Sequence, residues 1–188
     1  CALPIYLTAS GVHSFTGTIG SNVRNVTFTG ANTTFQLGTI NNSGTFTLTN
    51  PAGTKTTLNF LGANVAALIF NGAGGGALEL WGANTFSGNT LLNSGTLQIM
   101  DNQALQNSGI DTSGAGVINA TSRTTPTFGG LIGSTSLSTT NITGYGSITA
   151  LTLNPQSGRS YSYSGNIGNG AANMTLTKSG SGTQILSG

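Results

Sequence analysis

The segment ALELWGANTFSGNTLLNSGTLQI, residues 77–99, contains two short runs of alternating residues separated by turn-forming residues. Leu78 and Leu80 alternate with other residues in the first run. The second run extends from Leu91 to Ile99 and is interrupted by Asn-Ser-Gly at 93–95. Alternation with a period of two is typical of a strand that buries one face. Gly and Asn supply the positive-φ corners that turn the chain between strands. The segment therefore predicts short strands joined by tight corners.

Partial copies of this segment recur along the chain. The Gly-Ala-Asn corner of residues 82–84 recurs at 30–32 and 62–64, and the Asn-Ser-Gly triplet of residues 93–95 recurs at 42–44. The intervals between these corners fit repeated units of about 20 to 26 residues. If each unit is one rung of a solenoid, about eight rungs spaced about 4.8 Å apart form a rod about 40 Å long.

A family resemblance rests on the same residues. The run LWGANTFSGNT at 80–90, followed by NSGTLQI at 93–99, resembles the autotransporter-associated β-strand repeat of bacterial passenger domains. The segment from Leu151 to Thr183 resembles the beginning of a further repeat. The resemblance implies a right-handed β-helix on a large secreted or surface protein. It implies no enzymatic activity, because that repeat is a structural unit.

The sequence thus predicts an all-β fold, a right-handed parallel β-helix (β-solenoid) that forms a single domain over residues 1–188. A β-sandwich is the alternative, because the apolar pairs at 46/48, 58/60, 68/70 and 78/80 recur at intervals of 12, 10 and 10 residues. Such spacing also suits short strands and turns in a sandwich. Residues 101–123, rich in Ser, Gly and Asn, lack regular alternation and are expected to leave the solenoid as a looser loop.

Composition excludes several classes of function. Charged residues make up only 4% of the 188 residues and the net charge is +2, whereas about 25% is typical of soluble domains. The surface must therefore consist mainly of Thr, Ser and Asn. The five cations are scattered singly, so no basic stripe is available for nucleic acid. No apolar run approaches the ~20 residues that a membrane-spanning helix needs.

Few residues could support catalysis or bind a cofactor. The sequence separation of Glu79 and Asp101 is close to one rung, so they could stack as a carboxylate pair of the kind that glycoside hydrolases use. A single coincidence of spacing is weak support for catalysis, so we expect the chain to have no enzymatic activity and no catalytic residue. His13 has no Cys or His partner in a ligand-like spacing, so we expect neither a metal nor a cofactor. The glycine run at 72–76 lacks the Lys and Ser/Thr of a phosphate-binding loop and is expected to form a tight corner.

Cys1 and two tyrosines remain open to more than one interpretation. Cys1 is the only cysteine, so it is an accident of processing, a lipid-modified N-terminus, or one half of an intermolecular disulfide. Tyr161 and Tyr163 lie on alternate positions and would share one face of a strand. Exposed, these rings could contact a carbohydrate, although a stripe of this kind is more often core packing.

Neither end of the chain resembles the cap that a solenoid normally needs. Either the solenoid continues into a longer array, or copies stack head to tail into a fibre. The expected assembly residues are Ile5, Tyr6, Leu7, Ile185, Leu186 and Ser187. The sequence therefore predicts a non-enzymatic structural protein outside the cell or on its surface, as a stalk, an adhesin or a filament subunit. The expected partners are further copies of the chain and a surface polysaccharide. The alternative is a carbohydrate-binding or, with less support, a carbohydrate-cleaving β-helix.

Overall fold

The chain folds as a β-solenoid. The computed structural model describes residues 5–7, 12–19, 25–28, 34–41 and 43–188. It is all-β, about 53% strand and 4% helix, with parallel sheets stacked in about 7 turns. This confirms the predicted class and gives slightly fewer turns than the eight expected. The described strands pair in parallel, which excludes the β-sandwich, a fold of antiparallel sheets. The right hand of the helix stays a prediction, in line with the general rule for parallel crossovers.

Strands and two short 3-10 turns account for the regular structure of the described residues. In chain order they are β1 (Ile5–Leu7), β2 (Val12–Ile19), β3 (Asn25–Phe28), β4 (Thr34–Ile40), β5 (Gly44–Asn50), β6 (Lys55–Leu61), β7 (Val65–Gly72), a 3-10 turn (Ala73–Gly75), β8 (Ala77–Leu80), β9 (Asn89–Ser94), β10 (Thr96–Ile99), β11 (Leu105–Asp111), β12 (Val117–Asn119), β13 (Thr127–Ile132), β14 (Ile142–Thr143), a 3-10 turn (Tyr145–Ser147), β15 (Ala150–Leu153), β16 (Ser160–Tyr163), β17 (Thr175–Lys178) and β18 (Thr183–Leu186).

Two long sheets form the walls of the solenoid. Within the described ranges, sheet A has nine strands in the order β1-β3-β5-β7-β9-β11-β13-β15-β17, and sheet B has seven in the order β14-β12-β10-β8-β6-β4-β2. From β1 to β15 the chain alternates between the two sheets, so each turn adds one strand to each. Thr57 and Glu79, which are paired on neighbouring turns, are 22 positions apart in sequence. This agrees with the predicted rung length of about 20 to 26 residues.

The core is a set of in-register columns between the two sheets. In sheet A, Leu48, Phe70 and Leu92 lie in register on successive turns, and each is at most 4% exposed. Each such side chain contributes about 1.5–3 kcal/mol by leaving water. Because each layer covers the one before it, a turn is stable mainly through its neighbours.

The Gly-Ala-Asn copies at 62–64 and 82–84 do not occupy equivalent positions on successive turns. Asn84 Oδ1 accepts a hydrogen bond from the Leu61 N–H at 2.6 Å, and the Thr85 N–H donates to the Leu61 carbonyl. Asn84 thus lies beside the end of β6 and not over Asn64. The reason is corner length, since the connection from β8 to β9 is much longer than the connection from β6 to β7. The copy at 30–32 lies outside the described residues.

The prediction that residues 101–123 leave the solenoid is wrong. They contain β11 and β12, which lie within sheets A and B. The alternation is hidden because a polar residue occupies an interior position. Ser108 is fully buried, lies 2.8 Å from the Thr90 hydroxyl and donates to the Gly88 carbonyl at 2.6 Å. A serine that pairs with a polar side chain on the preceding turn fills a core position without an apolar signature.

Candidate assembly edge

Sheet A divides at β13. Thr127 and Phe128, in the first half of β13, pair with β15, and β15 pairs with β17. Beyond the second half of β13, Gly133 forms a parallel bridge with Tyr163 of β16. β16 then pairs with β18 as a separate two-stranded sheet, sheet C. The last described turn therefore presents strands of sheets A and C, whereas the first presents strands of sheets A and B.

Two glycines make room for the third sheet. Gly109 and Gly130 are in register in β11 and β13, and the ring of Tyr161 lies against both. A Cβ atom at Gly130 would lie 2.2 Å from Tyr161 Cδ2, and one at Gly109 would lie 2.6 Å from Tyr161 Cε1. Larger side chains at these positions would displace the ring. The Gln184 amide completes the contact by bonding both the N–H and the carbonyl of Leu131, at 2.8 and 3.0 Å.

The hydroxyl of Tyr163 links the loop that follows β13 to the segment that follows β16. Its hydroxyl lies 2.8 Å from the Thr135 carbonyl and 3.2 Å from the Asn166 carbonyl, and it accepts a bond from the Leu137 N–H at 3.1 Å. Burial raises the pKa of Tyr163, and the Leu137 N–H partly offsets that rise. Burial, with a smaller contribution from Tyr163, raises the pKa of Tyr145 to about 12.

The two tyrosines expected to contact carbohydrate are part of the core. Tyr161 is 4% exposed and Tyr163 is 1% exposed, on the same face of β16 as predicted. Stacking on a sugar requires an accessible ring face. The carbohydrate hypothesis is therefore wrong for these two rings, because they fill the space beside the paired glycines and between the loops.

The edge formed by β17 and β18 exposes apolar side chains at interior positions. Leu176 is in register with the buried Leu151, and Leu186 is in register with the buried Tyr163. Leu176 and Leu186 are nevertheless 43% and 47% exposed, because among the described residues β17 and β18 are the outermost strands of their sheets. They help to line a groove of about 300 Å³ at this edge. Ile185, which is in register with Ser162 on the outer face, is 49% exposed.

The predicted assembly residues lie at opposite ends of the solenoid. Ile5, Tyr6 and Leu7 form β1, the first strand of sheet A. Ile185 and Leu186 lie in β18, and the Ser187 N–H donates to the Tyr163 carbonyl at 3.0 Å. The side chains of β1 and the whole of Cys1 are outside the described residues. Leu176 was not predicted as an assembly residue. Its signal is the alternation of β17, which repeats that of β15.

The carboxylates do not form a pair. Glu79 forms an ion pair with Lys55 at 2.5 Å, accepts a bond from Thr57 at 3.2 Å, and lies in register with Gln98. Asp101 lies in the turn after β10, where its Oδ1 accepts a bond from the Gln103 N–H at 2.7 Å. The hypothesis that these two carboxylates stack is therefore wrong. His13 lies in β2.

Neither a cluster of metal-ligating side chains nor a membrane-crossing helix is found in the part of the chain that the structure describes. None of its His, Cys, Asp and Glu side chains form a group of three or more suited to a metal ion. No helix in that part has the length and apolar character needed to cross a membrane. The glycine run at 72–76 forms a tight corner, as predicted, with φ of 50° at Gly74 and 84° at Gly75.

Comparison with known families finds the same repeat in two segments of the chain. Residues 73–99 and 176–188 match the family model of the passenger-associated-transport-repeat. The first match extends from the 3-10 turn before β8 to the end of β10, and the second covers most of β17 and all of β18. These matches and the β-solenoid fit an autotransporter passenger β-helix repeat protein. Searches of curated proteins and of solved structures returned no match.

Proposed function

We propose that this chain is a stalk segment of a secreted or cell-surface protein, such as an adhesin, and that it acts structurally and not as an enzyme. The observation that carries the proposal is the order of nine parallel strands in sheet A among the described residues, in which strands on neighbouring turns are always paired. The repeat family supports a structural role and a location outside the cell. The low content of charged residues, 4%, leaves little on the surface to support catalysis.

The rod follows from the pairing. About 7 turns spaced about 4.8 Å apart give a length of about 34 Å. In sheets A and B each described strand pairs only with strands of the neighbouring turns, so further turns of this kind would lengthen the rod. A stalk needs such a shape, because its task is to hold other parts of a protein at a distance.

The edge of β17 and β18 is suited to receive a further turn of the same kind. Leu176 and Leu186 occupy interior positions and would become buried, as Leu151 and Tyr163 are on the preceding turn. The repeat family match includes this edge. A parallel turn placed there would extend the pairing already seen from β15 to β17.

A turn of a longer solenoid suits this edge better than the first turn of a second copy. The step in sequence from Ala150 to its partner Thr175 is longer than the step from Ile5 to its partner Val26, so the last turn is larger than the first. The first turn also presents sheets A and B, whereas this edge presents sheets A and C. A second copy would therefore meet a cross-section of different shape. The head-to-tail filament is the competing candidate, supported by the exposed Leu176.

The experiment is light scattering coupled to size exclusion, at a low and a high concentration. The variant Leu176→Lys places a charge at the edge, and Thr177→Lys on the outer face of the same strand is its matched control. A stalk segment gives one monomeric mass for all three proteins. A mass that rises with concentration, and falls selectively in Leu176→Lys, would replace the stalk proposal with the filament.

A further inference from the structure

A second groove lies away from the edge. It is bounded on one side by Asn89 and Ile132 of sheet A and on the other by the segment Gly158–Ser162, and its volume is about 420 Å³. That volume is within the range of small-molecule sites, about 300–1,000 Å³. Tyr161 is also one of its lining residues.

The segment after β15 forms one wall by crossing back over earlier turns. Gln156 Nε2 donates to Asn107 Oδ1 at 2.9 Å, and Asn154 Nδ2 donates to the Gln106 carbonyl at 3.2 Å. Arg159 Nη2 donates to the Ser87 hydroxyl, a residue distant in sequence, at 3.2 Å. These contacts hold the segment, and with it the guanidinium group, in a defined position beside sheet A.

The wall carries a cation without an acidic partner. An arginine has five N–H donors, and the hydrogen bond of Arg159 to Ser87 uses one of them. The ion pair found among the described residues joins Lys55 and Glu79, so Arg159 has no carboxylate partner there. An exposed arginine fixed at one N–H can bind a carboxylate through the others.

The other lining groups are neutral. The side chains of Asn89, Ser160 and Ser162 form no hydrogen bond with the described residues and can donate to a ligand or accept from it. The half-buried side chain of Ile132 supplies an apolar surface.

We propose that this groove binds an acidic sugar, a uronate unit of a polysaccharide. The carboxylate contacts Arg159, the sugar hydroxyls contact Asn89 and the two serines, and a C–H face of the ring lies on Ile132. A sugar acid fits because it combines one negative charge, several hydroxyl groups and an apolar ring face. The site differs from the exposed tyrosine stripe expected from the sequence, since Tyr163 takes no part. It does not depend on the stalk proposal.

The test is an NMR titration of the isotopically labelled chain with an oligogalacturonide, with a neutral oligogalactoside of equal length as the control ligand. We expect amide shifts at Asn89 and at 158–162 with the acidic sugar only. Arg159→Gln should weaken binding about tenfold or more. Lys178→Gln, which removes an exposed cation from β17, should bind as the parent chain does, and both variants should give the dispersed amide spectrum of a folded chain.

Three results would overturn the proposal. The first is the absence of shifts at millimolar acidic sugar, and the second is equal binding of the neutral oligogalactoside. The third is equal weakening by Arg159→Gln and Lys178→Gln, which would indicate diffuse attraction to a cationic surface. None of these results bears on the stalk, whose test is the mass of the chain.

Discussion

Tyr161 and Tyr163 lie on one face of β16 and are both buried, yet only the hydroxyl of Tyr163 has hydrogen-bond partners in the described structure. The Tyr163 hydroxyl joins the chain at Thr135, Leu137 and Asn166, whereas the Tyr161 ring is held by its fit against glycines. The same residue type therefore has two roles in one strand. Tyr163 ties loops together through its polar group, and Tyr161 fills space.

Because only the Tyr163 hydroxyl has partners, replacing each tyrosine with phenylalanine should change the free energy of unfolding by different amounts. Tyr163→Phe removes a hydroxyl with three partners and should lower the free energy of unfolding by about 1–3 kcal/mol, because buried polar groups then lack bonds. Tyr161→Phe removes an unpartnered hydroxyl and should be neutral or slightly stabilising. Urea unfolding followed by circular dichroism measures both. Equal losses in the two variants would show that the hydroxyl of Tyr161 has a partner in solution.

Tyr145 predicts a loss of stability at alkaline pH. Its pKa is raised from 10.0 to about 12 in the folded chain, and its hydroxyl donates to the Gly168 carbonyl at 2.7 Å. Folding therefore favours the neutral phenol, so the contribution is complete below pH 10 and is lost as the pH rises towards 12. Melting temperatures measured across this range should fall less steeply for Tyr145→Phe than for the parent. Identical pH profiles would contradict the assignment.

An alanine should destabilise the fold at Gly130, which the Tyr161 ring contacts, but not at Gly146, which has open space beside it. Gly130→Ala places a Cβ atom 2.2 Å from the Tyr161 ring, and the displacement should cost about 1–3 kcal/mol of unfolding free energy. Gly146→Ala is the control, because a Cβ there meets nothing within 4 Å. Both variants are compared by thermal and urea unfolding. If Gly130→Ala is as stable as Gly146→Ala, the ring does not lie on the glycine.

Asn84 is buried and Asn93 is exposed, so replacing each with alanine should change the free energy of unfolding by different amounts. Asn84 is 1% exposed and bonds the Leu61 N–H and the Ala104 carbonyl, at 2.6 and 2.9 Å. Asn93 is exposed and donates to Asn71 at 2.8 Å. Asn84→Ala should lower the free energy of unfolding by about 2–3 kcal/mol, since it leaves buried backbone groups unpaired, whereas Asn93→Ala should change it by less than about 0.5 kcal/mol. A loss of similar size in Asn93→Ala would contradict this account.

The solenoid could be predicted from the sequence because its signal is local. Alternation in 77–99 and the recurrence of turn residues depend on neighbours in the chain, and the structure confirms the strands and the rung length. The stacking of corners could not be predicted, because Asn84 reaches Leu61 only as a result of unequal corner lengths. The rung at 101–123 was missed because Ser108 is a polar residue in the core, paired with Thr90.

The division of sheet A could not be predicted for a different reason. It depends on contacts between residues far apart in sequence, such as Arg159 with Ser87 and Gln184 with Leu131. The two features that allow it, Gly109 and Gly130, look like ordinary turn residues in a chain with 30 glycines. The burial of Tyr161 follows from them, and so does the failure of the tyrosine stripe as a sugar-binding surface.

Electron microscopy of the purified chain, together with its mass by light scattering at increasing concentration, tests the stalk proposal most directly. A stalk segment predicts short single rods about 34 Å long, from about 7 turns spaced about 4.8 Å apart, with a monomeric mass throughout. Fibres that lengthen with concentration, and that Leu176→Lys abolishes while Thr177→Lys does not, would contradict it and identify the edge of β17 and β18 as a filament interface.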